Sequence, residues 1–452
     1  MTIGKKSPLS PPLPPSLPAP ATPRHLDVYQ NNQLVGELRD TSPLTFRYHN
    51  TWLNHKEATA LGEKLPLIAV AQQNMAVQAY FENLLPEGDI RHLLSISRQT
   101  TTIFGLLEAV GGDVAGNVSV RSPTPTPSPV SKKVSRESQA QYTRTSWADI
   151  RRLYVSPAKS EQISQTDDVG VRISLAGAQK KMLLVVLADG TPAIPVGAAP
   201  STHILKPDIR GLDSVWASAL NETYTMQLAE CIGLGVASAT YQPIVKAALI
   251  KRYDRILQDQ NIDLPMIRLH QLDLCQLDGK TSDVKYESDG GPSLKRCYQI
   301  LRESHVPAKD LKRFIQWVFF NLYVGNYDSH AKNLSVVRDP EEGPTLAPFY
   351  DLMATNFYSS LSRKFAFSIG GESLPGAIET ENLTLMASQI GVNAMYMMKI
   401  GAEVADATIT QATYVRDKLA GEAAHGTEQT LLMQLNQHVI RQTKKYKKRW
   451  KF

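Results

Sequence analysis

Cysteine is scarce in this sequence: three residues, Cys231, Cys275 and Cys297, with no CxxC pair. An odd, scattered set suggests neither a disulfide framework nor a zinc site, and it fits a reduced compartment, the cytoplasm. Long apolar runs are missing too. The longest, Met182–Ala188, is far too short to cross a bilayer. Met1–Pro23 carries eight prolines and no uninterrupted apolar core, so no secretory signal is expected there. Acidic residues are absent from Arg441–Phe452, which holds seven Lys or Arg. Those seven exceed the formal net charge of +6, so the other 440 residues stand at −1. With a nearly neutral body, any affinity for nucleic acid should sit in this tail or come from a partner. The tail reads first as a solvated, frayed terminus and second as a DNA contact. No internal repeat is visible.

What remains is ordinary for a folded chain: 452 residues, 42% apolar and 20% charged, enough for two or three domains. Residues 1–24 read as a Pro-rich disordered extension, with the spacings Pro8/Pro11 and Pro12/Pro15. A globular pattern runs over 25–122. Leu26-Asp-Val-Tyr and Leu34-Val-Gly-Glu-Leu flank Asn31-Asn32, a hairpin signal. Met75–Leu85 and Thr102–Val110 have helical periodicity, and Val118-Ser-Val reads as a strand. Residues 123–145, where Pro alternates with Ser and Thr, cannot bury enough apolar surface to order themselves and read as a flexible linker.

Residues 146–255 read as strand-rich, with strands at Val171–Ser174, Lys181–Leu187, Thr202–Leu205 and Ala247–Arg252. Residues 256–440 are mainly helical, followed by the basic tail, 441–452. In the second half, Leu311, Phe314, Ile315, Val318, Phe319 and Leu322 recur at i, i+3, i+4, a wide buried stripe that Gly325 ends. A strand-rich half, then a helical half with chemistry between them, is the bilobal layout of a kinase.

The chemistry follows directly on that helix, in Asn326-Tyr-Asp-Ser-His-Ala-Lys-Asn333, with Tyr350-Asp351 eighteen residues beyond Asn333. An aspartate five residues ahead of an asparagine, then a second aspartate past a short strand, is the spacing of a kinase catalytic site. In that layout Asp328 accepts the substrate hydroxyl proton, and Asn333 and Asp351 hold magnesium on the phosphates. Asp and Asn also cap turns, and this spacing alone does not separate the two readings. His330 by itself reads as structural.

Upstream, Ser174-Leu-Ala-Gly-Ala-Gln-Lys-Lys181 lies between strand-like runs, where a kinase keeps its phosphate-covering loop. Its amides could cradle anionic oxygens, although it is not GxGxxG and by itself suits a plain hairpin turn. Lys206 ends the apolar strand Thr202-His-Ile-Leu, the place of a phosphate-reaching lysine. Glu222, heading the amphipathic stretch Asn221–Ile232, is its natural ion-pair partner. Glycine loop, strand lysine, helix glutamate and the Asp…Asn…Asp set occur in kinase order, which single matches would not.

Together these residues resemble the HipA-type serine/threonine kinases, toxins of bacterial HipBA toxin–antitoxin systems. The resemblance rests on Arg172-Ile-Ser-Leu-Ala-Gly-Ala-Gln-Lys-Lys181, Thr202-His-Ile-Leu-Lys206, Lys285-Tyr-Glu-Ser-Asp-Gly-Gly-Pro292, Asp328–Asn333 and Pro348-Phe-Tyr-Asp351. Leu34-Val-Gly-Glu-Leu and Phe81-Glu-Asn-Leu-Leu-Pro86 resemble the family's N-terminal subdomain. The fold implied is α+β: a bilobal, protein-kinase-like body with a small N-terminal α/β subdomain and a mainly helical C-terminal lobe.

The resemblance further implies ATP and Mg2+ as cofactors, with Asp328 as the base and Asn333 and Asp351 as metal ligands. Ala176, Gly177, Ala178, Gln179, Lys180, Lys181 and Lys206 would contact the phosphates, with His330, Lys332 and Tyr350 nearby. Lys251 and Tyr253 would be hinge positions holding adenine through the backbone, and Asp254 would meet the ribose. Ser174 matches an autophosphorylated serine, where a phosphate would push the loop out and block nucleotide binding. Implied partners are a protein substrate, an aminoacyl-tRNA synthetase above all, and a helix-turn-helix antitoxin of HipB type that makes most of the DNA contact. The rival readings are a small-molecule kinase and a non-catalytic co-repressor. The Pro-rich head, the Pro-Thr linker and the basic tail depart from the family pattern.

Overall fold

The computed structural model describes residues 23–123, 141–155, 181–197, 199–212, 214–258, 266–423 and 426–452. Ser174, Ala176–Lys180, the strand expected at 171–174 and most of the two Pro-rich segments lie outside the described residues.

Asn31 and Asn32 both take left-handed backbone, φ 45° and 67°, which matches the twist of the strands they join. The turn links β1 (His25–Gln30) to β2 (Gln33–Arg39), as expected. With β3 (Thr45–Tyr48), β4 (Gln72–Gln73) and β5 (Val118–Arg121) they form an antiparallel sheet in the order β4-β3-β2-β1-β5. Helices Met75–Glu82 and Ile103–Val110 begin on Asn74 and Thr102, whose side chains accept from the amides of Val77 and Gly105. Phe81, Phe104 and Leu107 from these helices share a core with Leu26, Val28 and Phe46.

The N-lobe sheet runs β10-β11-β9-β7-β8-β6. Its strands are β6 (Gln141–Arg144), β7 (Met182–Val186), β8 (Pro192–Val196), β9 (His203–Pro207), β10 (Ala239–Gln242) and β11 (Ala247–Lys251). Residues 141–144 therefore correct the expected linker boundary. They form the edge strand, with Tyr142 and Thr143 opposite Pro195 and Ile194. One aromatic and one β-branched residue suffice once a partner strand is supplied.

Helix Ser218–Cys231 is buried on every side from Ser218 to Ala229, not amphipathic as its sequence suggested. Most of its polar side chains find partners within the helix or on the elements around it. Thr223 and Thr225 donate to the carbonyls of Ala219 and Asn221, and Asn221 exchanges hydrogen bonds with the backbone of Ala354.

In the C-lobe, β12 (Arg255–Ile256) pairs with β13 (Ile267–Arg268), and β14 (His270–Asp273), β15 (Ser335–Asp339) and β16 (Gly343–Leu346) form a small sheet. Helix Ala308–Val324 buries Phe314, Ile315, Trp317, Val318, Phe319 and Leu322 and stops at Gly325, φ 77°. Helices Ala394–Glu422 and Thr427–Arg449 pack against it and against each other.

The expected frayed terminus is corrected here. Val439, Thr443, Tyr446 and Trp450 form a buried stripe at helical spacing, and the Trp450 indole donates to the Ile378 carbonyl at 2.9 Å. Arg441, Lys444, Lys445 and Lys448 occupy the exposed face. The density of charge hid an amphipathic helix.

No helix among the described residues is long and apolar enough to cross a membrane.

Candidate active site

Lys206 lies in β9 opposite Ala248 of β11, and its side chain reaches the seam between the lobes. The ammonium donates to Glu222 Oε1 and to Asp351 Oδ1, both at 2.6 Å. The expected lysine–glutamate pair thus forms, with Asp351 as a second anion on the same cation. Burial opposes the charge on Lys206, but the two carboxylates outweigh it and hold its pKa above the ordinary lysine value. For Asp351 burial alone would raise the carboxyl; Lys206 and then Lys181 overturn this and keep it ionised well below the usual carboxylate range. Asp351 sits in left-handed backbone, φ 61°. Such a conformation costs energy for a residue with a Cβ, and it is found where surrounding contacts fix it. The bond from Lys206 to its carboxylate is one such contact.

Lys181 immediately precedes Met182, the first residue of β7, which faces Leu205 of β9, and so lies near Lys206. Burial, then the nearby Lys206, pushes Lys181 down to about 8.

Asp328 follows Gly325 at the end of the buried helix. The loop is tied at each step: Asn326 to Asn321, the Tyr327 amide to Thr355 Oγ1, the His330 amide to Asp328 O, and the Asn333 amide to His330 O. Asn333 Nδ2 also reaches Asp328 O at 3.5 Å. Asp328 is exposed, yet enough protein surrounds its carboxyl that desolvation raises its pKa. Tyr286 opposes the rise and Asp351 adds to it. A raised carboxyl suits proton acceptance near neutral pH. Burial, then Lys285, pushes His330 down to about 3, so its imidazole is neutral, and its Nδ1 has no partner among the described residues.

Five of the expected site residues already have protein partners. The Lys332 ammonium is consumed by protein, donating to Asn83 O at 3.0 Å, Asn83 Oδ1 at 2.8 Å and Asp273 Oδ2 at 2.7 Å. An ammonium has three hydrogens, so none remains for a phosphate. Asp254 is likewise committed, its carboxylate accepting from Arg252, Arg255 and the Gly116 amide. A ribose would have to displace one of these. The Lys251 amide is already bonded to Ser238 O, which leaves the hinge role to its carbonyl and to Tyr253. The Tyr253 ring stacks on Tyr350 with centroids 6.1 Å apart. Tyr350 is itself anchored, donating to Lys332 O at 2.8 Å and bonded to Ser335 Oγ at 2.7 Å.

Sequence reasoning missed Tyr286. Its hydroxyl donates to Asp328 Oδ1 at 2.6 Å and its ring meets His330 edge-on at 5.1 Å. The residue stood inside a motif already singled out, Lys285–Pro292, but nothing local told what it touches. Also missed were Glu82, Asn83 and Glu87 of the N-terminal subdomain, which bond to Ser282, Lys332 and Lys285. Those partners lie 198 to 249 residues away, beyond any sequence pattern.

For a metal, the donor set is one carboxylate, Asp351, and one amide carbonyl, Asn333. Among the described residues no three His, Cys, Asp or Glu cluster as ligands. Magnesium bound with a nucleotide takes one or two protein oxygens and fills the rest of its shell from phosphates and water, so the residues fit.

The chain matches family models over two stretches, the HipA N-terminal domain at residues 26–121 and the HipA-like C-terminal domain at residues 173–412. It is similar to Y4mE of Sinorhizobium fredii, a protein named for an inferred kinase activity, at 32% identity over 86% of this chain and 90% of that one. The serine/threonine-protein kinase toxin HipA of Shewanella oneidensis is 27% identical over 81% of this chain and 83% of its own length. The solved structure of Shewanella oneidensis HipA with HipB and operator DNA superposes at a TM-score of 0.76 and 22% identity, covering 93% of this chain and 97% of that one. That likeness shows the bilobal fold with its added N-terminal subdomain. Matched at both domains and over most of its length, this chain belongs to the HipA-type kinases.

Proposed function

We propose that this chain transfers the γ-phosphate of ATP to a serine or threonine hydroxyl of a protein. The observation that carries the reading is the Lys206 ammonium held at 2.6 Å from both Glu222 and Asp351, beside a loop that presents Asp328 and Asn333. Phosphoryl transfer asks mainly for positioning and charge neutralisation, and this set offers both.

Lys206 and Lys181 bear on the phosphate oxygens. Asp351 and Asn333 would hold Mg2+, which when bound neutralises charge developing on the phosphates. The substrate hydroxyl oxygen attacks the γ-phosphorus while its proton passes to Asp328. The bond from that phosphorus to the β–γ bridging oxygen breaks, and ADP leaves. By the family resemblance Ala176–Lys180 would contact the phosphates, and a phosphate on Ser174 would switch the enzyme off by repelling the nucleotide.

The substrate is an aminoacyl-tRNA synthetase. Its modification stalls translation in the cytoplasm, the behaviour of a toxin. A helix-turn-helix antitoxin of HipB type is the partner and carries most of the DNA contact. Incubation with γ-labelled ATP, Mg2+ and whole lysate tests the reading. It calls for label in one protein band near synthetase size. Label in small metabolites only would instead make the protein a small-molecule kinase, and no transfer at all would leave a non-catalytic co-repressor.

A further inference from the structure

Seven consecutive residues of the N-terminal subdomain, Phe81–Glu87, are all buried, although three of them carry polar side chains: Glu82, Asn83 and Glu87. Buried polar groups persist where they are partnered, and each of these three has a partner in the segments that build the phosphotransfer site. We infer that Asn83 and Glu87 are positioning residues for that reaction, fixing the catalytic loop and Tyr286 and through them the carboxylate of Asp328. The inference rests on the proposed phosphotransfer.

Two contact chains converge. In the first, Lys332 sits within the catalytic loop, one residue before Asn333. Two of the three acceptors on its ammonium belong to Asn83, the third being Asp273. Asn83 is itself saturated: its amide group donates to Ala79 O and to Lys280 O, both at 2.8 Å. Every donor in this buried set has an acceptor. Such a network holds one geometry strongly, because each rearrangement strands a polar group away from water.

In the second, Glu82 accepts from the amide of Ser282 at 2.8 Å and its hydroxyl at 2.7 Å, while Glu87 accepts from Lys285 Nζ at 2.6 Å. The segment 282–285 is thus fastened at both ends to the N-terminal subdomain, and Tyr286 is the next residue. The Lys285 ammonium also lies 5.4 Å from the centre of the Tyr286 ring. Tyr286 in turn takes Asp328 Oδ1. Among the described residues nothing donates to the other carboxylate oxygen, which is left for an incoming hydroxyl. Orientation of a base within a fraction of an ångström governs turnover more than nucleotide affinity.

Charge reversal at the Glu87–Lys285 pair tests this in the full-length protein. Both side chains are mostly but not wholly buried, 9% and 15% exposed, so reversal is less disruptive there than in a core. Glu87→Lys, Lys285→Glu and the double swap are compared for Mg-ATP hydrolysis by phosphate release, for KM of ATP and for melting temperature. Each single variant is expected to lose about 10- to 100-fold in kcat with KM within about twofold, and the double swap to recover most of the loss. A purely structural role moves melting temperature and not this split. If the single reversals melt, Glu87→Gln, which keeps shape and removes the charge, carries the same criterion. Single variants within about twofold of wild-type kcat, or a folded double swap no better than either single, overturn the inference. Wild-type protein that neither binds nor turns over ATP overturns the functional reading instead, and this inference with it.

Discussion

Replacing Asp113 by asparagine probes the joint between the N-terminal subdomain and the kinase hinge. Asp113 accepts from the Ser201 amide at 2.9 Å, from Ser201 Oγ at 2.7 Å and from Arg255 at 2.9 Å, with Arg252 at 3.4 Å. Arg252 and Arg255 also donate to Val114 O, and Arg255 to Gly116 O. With Asp254 and Arg268, the cluster is two carboxylates against three guanidiniums, all buried. Burial alone would raise the Asp113 carboxyl, but Arg252, Arg255 and Arg268 outweigh it and hold the group far below its ordinary range.

The substitution Asp113→Asn keeps the shape and leaves three buried cations facing one anion. Breaking a buried pair in this way costs about 3–5 kcal/mol. A surface pair such as Arg24–Glu108, with both side chains at least 40% exposed, contributes about 0–1 kcal/mol, so Glu108→Gln is the control. Hydrogen exchange at the Ser201 and Gly116 amides reads the joint directly, since both donate into the cluster. At about 1.4 kcal/mol per decade, D113N is expected to speed their exchange roughly 100- to 5,000-fold, and E108Q no more than about fivefold. Equal effects from the two variants would refute the reasoning.

The pH dependence follows from the same shifts. Asp113 is held down, and Asp254 is held down to about 2, whereas an unfolded aspartate titrates near 3.9. Stabilisation from Asp254 is therefore complete above about pH 4 and lost as pH falls toward 2, while that from Asp113 declines over the same range and persists below it.

Other expectations concern single sites. Asp328→Ala should abolish phosphate transfer while leaving the melting temperature nearly unchanged, because an exposed carboxylate contributes little packing; retained activity would show that it is not the base. Ser174→Asp should weaken ATP binding in calorimetry, and an unchanged affinity would count against control at that serine. Trp450→Ala should cost about 3–5 kcal/mol of stability, since the indole is buried against Tyr446 and bonded to Ile378 O, while Lys444→Ala should cost nearly nothing. Equal melting curves for these two would contradict the packed C-terminal helix.

What the sequence disclosed was whatever local spacing determines. The Asn31-Asn32 hairpin, the stripe of helix 308–324 and the lysine–glutamate pair all formed as expected. Helix Ser218–Cys231 misled because burial on every side erases amphipathic contrast. The C-terminal helix misled because its apolar stripe is outnumbered by lysines on the facing side. Contacts from Asn83, Glu87 and Asp113 were invisible because they join positions more than eighty residues apart, paired only by the docking of one subdomain on another. Lys332 and Asp254 show the converse limit. The family resemblance implied nucleotide contacts, but a charged side chain in a buried loop is claimed first by the nearest opposite charge.

The account depends on Lys206, Asp351 and Asn333 serving one metal-bound nucleotide. Titrating ATP into the full-length protein with and without magnesium, for wild type and for Asp351→Asn, examines that most directly. Saturable one-site binding is expected, tightened by magnesium in the wild type and indifferent to magnesium in the variant. Absence of ATP binding, or a magnesium effect that survives in Asp351→Asn, would contradict it.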